Sequence, residues 1–342
     1  VKQMETNHMN TTNTIAQEFA AKVQKEQKKG KIVQYAPILI LVALVVVFSI
    51  SANGFFTPEN LTAILTQLAI PLVLSIGATF VIIMGSIDLS VDGMMAFCGC
   101  VASVLIANTK NTMNMGIWGV VIAIATGAAF GFLAGFLYVK LRIPSFMVTF
   151  GLTNVGAGLA VITYNLEPAT VTDEAFRNLA LIDIGPAPAI TYIAIAVFVV
   201  ALILQKYTPF GRYVYAIGDN EQVPKMAGIN VNKVKIQAFI WSGICIGIAG
   251  VLMLALLGRG DVTMGKGQLF PTLTAVVVGG TAMSGGRGGV VNTLIGALIM
   301  TVLRSGLIMF GVNQYLLVGV QGVIILIAVA ASVARGKKII NK

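Results

Sequence analysis

The sequence predicts an all-α, polytopic membrane helix bundle with about ten transmembrane segments and both termini cytoplasmic. Three observations predict it: the scarcity of charge, the length of the uncharged runs, and the placement of the remaining Lys and Arg. Apolar residues make up 57% of the 342 and charged residues only 11%, with a mean hydropathy of +0.89. An ordinary soluble domain carries about 25% charge, so most of this chain lies in a solvent that charge does not enter. Residues 37–50, 68–84, 117–139 and 316–333 hold no Asp, Glu, Lys or Arg. Roughly 20 apolar helical residues cross a 30 Å hydrocarbon layer, and several such runs rule out a signal peptide as their explanation.

Taken in order, residues 1–35 are polar and form a cytoplasmic N-terminal arm; residues 36–338 form the transmembrane domain. Ten apolar segments follow the arm: 36–52, 69–84, 93–107, 116–139, 145–164, 191–204, 236–257, 269–283, 290–310 and 315–333. Thr57 followed by Pro58 reads as a helix start, making 59–67 a short helix that leads into the second span. The segment 269–283 is the weakest. It is roughly 22 Å long as a helix, Gly279-Gly280 loosens its end, and a broken or re-entrant helix fits if protein surrounds it. Gly127, Gly131 and Gly135 repeat every four residues, a small-residue ladder that lets a neighbouring backbone come close.

The net charge of +10 does not indicate nucleic acid, because the cations sit where membrane orientation signals belong. With the N-terminus inside, the cytoplasmic loops are 85–92, 140–144, 205–235 and 284–289. They carry Lys140 and Arg142, then Lys206, Arg212, Lys225, Lys233 and Lys235, then Arg287. The opposite loop 165–190 carries Glu167, Asp173, Glu174 and Asp183 against Arg177. Loop 258–268 departs from the rule, with Arg259 and Lys266 against Asp261. Ten crossings return Arg335, Lys337 and Lys338 to the cytoplasm.

Catalytic chemistry is not visible. The one histidine, His8, lies in the arm, so no Ser-His-Asp or Cys-His set is available. Cys98, Cys100 and Cys245 lie in apolar segments without zinc-ligand spacing, and neither a metal nor a cofactor is expected. Residues 260–267 mimic a phosphate loop but lack the Ser or Thr after Lys266 and a preceding strand. The chain is therefore not expected to be an enzyme. Two constellations stand out instead. In Asp88-Leu-Ser90-Val-Asp92 carboxylates interrupt two spans; such residues line a path or gate, or Asp88, Ser90 or Asp92 caps the next helix. Arg304 lies inside a span, where packing or snorkelling toward an interface accounts for it.

The second constellation is the long loop 205–235. A helix-sized piece there is bracketed by Gly218-Asp219-Asn220 and Gly228. Asn220 or Asp219 is placed to cap it and Gly228 to end it, and Glu221 and Lys225 stand one turn apart. A small helix lying along the cytoplasmic face suits docking of a soluble partner.

At this loop the chain resembles a known family. "TPFGRYVYAIGDNEQVPKMAGINVNKVKIQAFIWSG" (208–243) is similar to the cytoplasmic loop of permeases of bacterial sugar ATP-binding-cassette (ABC) importers of the ribose type. "FFTPENL" (55–61), "IDLSVDG" (87–93), "RIPSFMVTFG" (142–151), "VVVGGTAMSGGRGGVVNTLIGALI" (276–299) and "VGVQGVIILIAV" (318–329) agree in the same order. The resemblance implies a bacterial inner-membrane permease for a ribose-like monosaccharide. It implies as partners ABC ATPase subunits, an extracytoplasmic sugar-binding protein and a second permease copy in a homodimer. Gly218, Asn220 and Gly228 match the ATPase-docking signature, and Asp88 and Ser90 the first-half motif. Three departures are visible. Val223-Pro224 replaces a double alanine, so the docking helix starts late or kinks. Leu269-Phe270-Pro271 replaces Glu-Leu-Asp, and Asp92 replaces a glycine. The competing reading is a stand-alone secondary transporter or channel, which calls for half-repeats with broken helices and a relay of buried carboxylates.

Overall fold

The computed structural model describes residues 35–337. Each predicted apolar segment is a helix: α1 (Tyr35–Ser51), α2 (Pro58–Ile83), α3 (Val91–Leu105), α4 (Ile117–Lys140), α5 (Ser145–Tyr164), α7 (Ala189–Tyr207), α10 (Val231–Leu257), α11 (Leu269–Val278), α12 (Val290–Met309) and α13 (Gln314–Lys337). Between them lie α6 (Glu174–Leu181), α8 (Pro209–Asn220) and α9 (Gln222–Met226). Four two-residue strands, β1 (Ala169–Thr170), β2 (Asp183–Ile184), β3 (Ala187–Pro188) and β4 (Arg259–Gly260), pair as β1–β4 and β2–β3, both antiparallel. The predicted arm lies almost wholly outside the described residues.

Among the described residues six helices (α2, α4, α5, α7, α10 and α12) are long and apolar enough to cross a membrane, and the chain is an all-α, multi-pass membrane bundle. The short helix expected at 59–67 is the first part of α2, which runs unbroken through Pro71. Its start is as predicted, with Pro58 in the first turn and the Thr57 hydroxyl accepting from the Asn60 N–H. The weak segment is shorter than expected: α11 has 10 residues, about 15 Å, or half a bilayer core.

α3, with 15 residues, and α11, with 10, are both shorter than a full span, and the elements around them pair off. α3 packs on α4, α5 and α10, while α11 packs on α12, α13 and α2. The contact of α10 with α4 is mirrored by that of α2 with α12. Helices α2–α5 and α10–α13 therefore form two halves of like packing and opposite direction. α2 ends at the same end of the bundle at which α10 begins, since Gly218, in the loop leading to α10, rests on the Ile83 carbonyl. Two half-repeats with broken helices are thus present, so this feature no longer separates the two functional readings.

The loops gather into two groups, but 85–92, expected as a cytoplasmic loop, turns inward as a largely buried break, and its last two residues already belong to α3. At one end Gly286 N donates to Ile83 O (2.8 Å), Tyr215 OH to Gly288 O (2.6 Å) and Ser86 Oγ to Tyr138 OH (3.2 Å). These bonds gather 84–90, 138–145, 205–235 and 279–289. At the other end Val171 N donates to Gly258 O and Thr172 N to Ala107 O, both at 2.9 Å, which gathers 106–116, 165–188 and 258–261. Loop 258–268 departs from the charge rule less than its composition suggests, because Arg259 is neutralised by Asp261 at 2.8 Å.

The glycine ladder meets α10. A Cβ on Gly127 would stand 2.3 Å from Gly243 O, and one on Gly131 2.2 Å from Phe239 O. The two backbones are in contact, a packing that only glycine permits. Helix α2 is enclosed by protein along most of its length, whereas α4, α5 and α7 turn most of their apolar surface outward.

Candidate functional site: the 205–235 loop and the broken helices

The loop 205–235 folds as two helices rather than one. Gly218, Asp219 and Asn220 are the last turn of α8, not merely a bracket, and α9 has only 5 residues. The Asn220 side-chain oxygen accepts from the Gln222 N–H at 3.0 Å, a turn bond between the two helices; contrary to expectation Asn220 is not the cap of α9, whose N-cap position is Glu221 and makes no side-chain cap bond. Gly228 ends it at φ +78°, the left-handed conformation that glycine adopts without penalty. Pro224 neither delays nor kinks the helix. It is the third residue of α9 and buried, and a first-turn proline gives up only an N–H that has no intrahelical partner.

α9 presents Val223 (55% exposed) and Met226 (80%), three residues apart on one helix side. On a loop at the end of the bundle they make an exposed apolar pair. Glu221 and Lys225, also exposed, do not pair with each other. The Glu221 carboxylate instead meets Lys235 Nζ at 2.7 Å, and that ammonium lies 5.0 Å from the centre of the Tyr138 ring. Tyr138 in turn meets Ser86. The segment 218–228 is thereby tied to α10, α4 and the break before α3.

α8 seats on the bundle through the 279–289 turn. Gln205 Oε1 accepts from Val290 N (2.7 Å), and its Nε2 donates to Tyr215 OH (2.6 Å). Burial pushes the Tyr215 phenol above its ordinary range, offset in part by the Gln205 bond; the neutral hydroxyl keeps its proton for Gly288 O.

The break between α2 and α3 exposes backbone polar groups inside an apolar bundle, where each must find a partner. α5 supplies them. Ser145 Oγ accepts from Ile87 N (3.1 Å), Thr149 Oγ1 from Leu89 N (2.9 Å) and Thr153 Oγ1 from Gly93 N (3.0 Å). From Ser145 to Thr149 the helix rises about 6 Å, close to the roughly 6.6 Å of the two extended residues from Ile87 to Leu89; the next step, Thr149 to Thr153, matches the four residues from Leu89 to Gly93, where α3 has begun. Thr153 lies about 12 Å along α5 from Ser145, so α3 starts well inside the bundle.

Asp88 lies in this break and is 3% exposed. Its Oδ1 accepts from Ser90 N (2.9 Å) and Ser90 Oγ (2.6 Å), and its Oδ2 from Ser242 Oγ of α10 (2.7 Å). It is thus both a local turn-former at the start of α3 and a brace to the other half. Ser90 occupies the N-cap position of α3 without making a side-chain cap bond. Asp92 does not cap α3 either: its carboxylate accepts from the amides of Gly267 (3.0 Å), Gln268 (3.1 Å) and Leu269 (2.7 Å) at the start of α11. Arg304 is half-buried with its Nε unpaired. Among the described residues no group of three or more His, Cys, Asp or Glu is placed to hold a metal.

Sequence reasoning missed Lys235, Tyr138, Val223, Met226 and the hydroxyl row of α5. Only the last left a legible signal, the four-residue spacing Ser145, Thr149, Thr153.

An all-α bundle of two inverted halves, with two helices broken inside it and a helical knob at one end, defines a membrane transport protein. The chain matches the family described as branched-chain amino acid transport system / permease component over residues 60–329, and it belongs to that family, in its ribose-type sugar ABC importer branch. It is 34% identical to the ribose import permease protein RbsC of Escherichia coli K12 over 305 residues, 88% of this chain and 94% of that one. It is 35% identical to RbsC of Bacillus subtilis 168 over 316 residues (90% and 96%). With the L-arabinose ABC transporter permease protein AraH of Azospirillum brasilense it shares 33% over 297 residues (85% of each). No solved structure matches it.

Proposed function

We propose that the chain is the membrane-spanning subunit of an ATP-driven importer for a ribose-like monosaccharide in the bacterial cytoplasmic membrane. A separate ATPase hydrolyses ATP and docks on α8–α9, with Gly218, Asp219, Asn220, Glu221, Lys225 and Gly228 forming the joint. An extracytoplasmic binding protein delivers the sugar to the opposite end, and a second copy completes a homodimeric pore. All ten apolar helices belong to the membrane domain, with both termini on the ATPase side. Asp88 and Ser90 hold the break that lets α3 move. The names of the RbsC relatives support a ribose-like sugar, and those of AraH and FrcC keep the substrate among monosaccharides.

The observation that carries the coupling role is the exposed Val223–Met226 pair, on a segment tied by Glu221–Lys235 to α10 and by Gly218 to the end of α2. Closure of an ATPase pair beneath α9 then pushes on α2 and α10 together, converting nucleotide energy into rigid-body movement of the halves. The purified chain alone is expected to show no saturable ATP binding. With its ATPase it should co-purify and, with the loaded binding protein, hydrolyse ATP faster. Ion-gradient-driven uptake by the chain alone in vesicles would favour the secondary-transporter reading instead.

Sidedness has its own check. Asn178 lies exposed in α6, at the end opposite the coupling face, so Asn178→Cys should react with an impermeant thiol reagent in intact cells. Labelling only after the membrane is broken reverses the orientation.

A further inference from the structure

We propose that Asp92 is a positioning residue that serves as the N-terminal cap of α11, supplied from the other half of the fold, and that transport depends on it through α11. The inference rests on the permease reading for its link to transport, but not for its structural part.

A helix that begins inside an apolar bundle leaves its first amides without intrahelical partners. α11 has no device of its own for them. Its N-cap residue, Gln268, makes no side-chain cap bond, and its first turn, Leu269-Phe270-Pro271, holds no acidic residue. Asp92 spends both carboxylate oxygens there, on the amides of Gly267, Gln268 and Leu269. An anion at that place also meets the positive end of the helix dipole. The approach is built in: a Cβ on Gly265 would stand 2.0 Å from Asp92 O, so the chain entering α11 lies directly on the first turn of α3.

Asp92 therefore fixes the start of α11 and ties α11 to α3 with the same bonds.

The test uses the full chain with its ATPase, reading sugar-stimulated ATP hydrolysis and hydrogen exchange of the amides at 267–269. Asp92→Gly should raise exchange there about tenfold or more and cut stimulated hydrolysis about tenfold, with ATPase co-purification unchanged. Asp92→Asn, which still offers an acceptor, should lose no more than about threefold. Leu269→Glu should restore both readouts in the Asp92→Gly background, yet impair the otherwise unchanged chain, where two carboxylates would crowd one site. Loss of folding in Asp92→Gly alone is covered by the asparagine and double variants. Normal exchange at 267–269 in Asp92→Gly, or a well-assembled double variant that stays defective, overturns the proposal. If stimulated hydrolysis is absent even without substitution, the permease reading fails, while the exchange measurements still decide the cap.

Discussion

Gly218→Val is expected to abolish sugar-stimulated ATP hydrolysis and co-purification with the ATPase while leaving the chain inserted in the membrane. A Cβ at Gly218 would stand 1.8 Å from Ile83 O and 2.6 Å from Gly286 N. Those two atoms are themselves hydrogen-bonded at 2.8 Å, so the glycine lies against the bond that joins the end of α2 to the 279–289 turn. Neither neighbour is a flexible side chain, and a valine forces α8 off the bundle. The damage stays at one end: the core packing of α2 against α10 lies deeper, and no charge is changed. Gly228 offers the contrast. Nothing lies within 4 Å of a Cβ there, and only its φ of +78° matters, so Gly228→Ala should cost about 1–2 kcal/mol locally and weaken docking by a few-fold. Pull-down with the ATPase and stimulated hydrolysis measure both. A Gly218→Val chain that docks and responds at the normal rate places the joint elsewhere.

Asp88→Ala is the second large effect. It strips the acceptor from Ser90 N–H, Ser90 Oγ and Ser242 Oγ, all in a region shielded from water. Buried donors left unpaired cost roughly 1–3 kcal/mol each, so a loss of about 3–5 kcal/mol is expected, visible as a lower melting temperature in detergent and little assembled transporter. Asp88→Asn should behave differently. Its oxygen serves Ser90 in the place of Oδ1, and its amide donates to Ser242 in the place of Oδ2, so uptake should stay near normal. The pair of variants separates a brace from a gate. A well-assembled Asp88→Asn chain that fails to transport shows that the negative charge itself is used.

The sequence made the helices legible because lipid imposes length and apolarity on whatever crosses it. Ten runs were there to be counted, and the short one at 269–283 announced its weakness through its length and its glycines. Gly228 as a helix stop and Thr57-Pro58 as a helix start were equally local, since the backbone conformations they demand depend on their own residues.

What the sequence could not show was partnership. Glu221 stood one turn from Lys225, the pairing that helical spacing suggests; the fold turns it toward Lys235 instead, because α9 is one short turn and α10 rises beside it. Asp92 looked like a cap for the helix it begins, and it caps one that starts 177 residues later.

By itself, then, the sequence determined the membrane class, the helix segments, the glycine-lined contact surface and the place of the long loop 205–235, all of which follow from residue type and short-range spacing. The tertiary structure alone decided which apolar helices are enclosed and which face outward, how the two halves mirror each other, and which hydroxyls and carboxylates satisfy the two broken helices. The physical reason is that a protein interior and a lipid tail are equally apolar, so hydropathy does not tell α2 from α4. A backbone amide freed inside the bundle, for its part, takes whatever acceptor the fold brings within 3 Å, regardless of its distance along the chain.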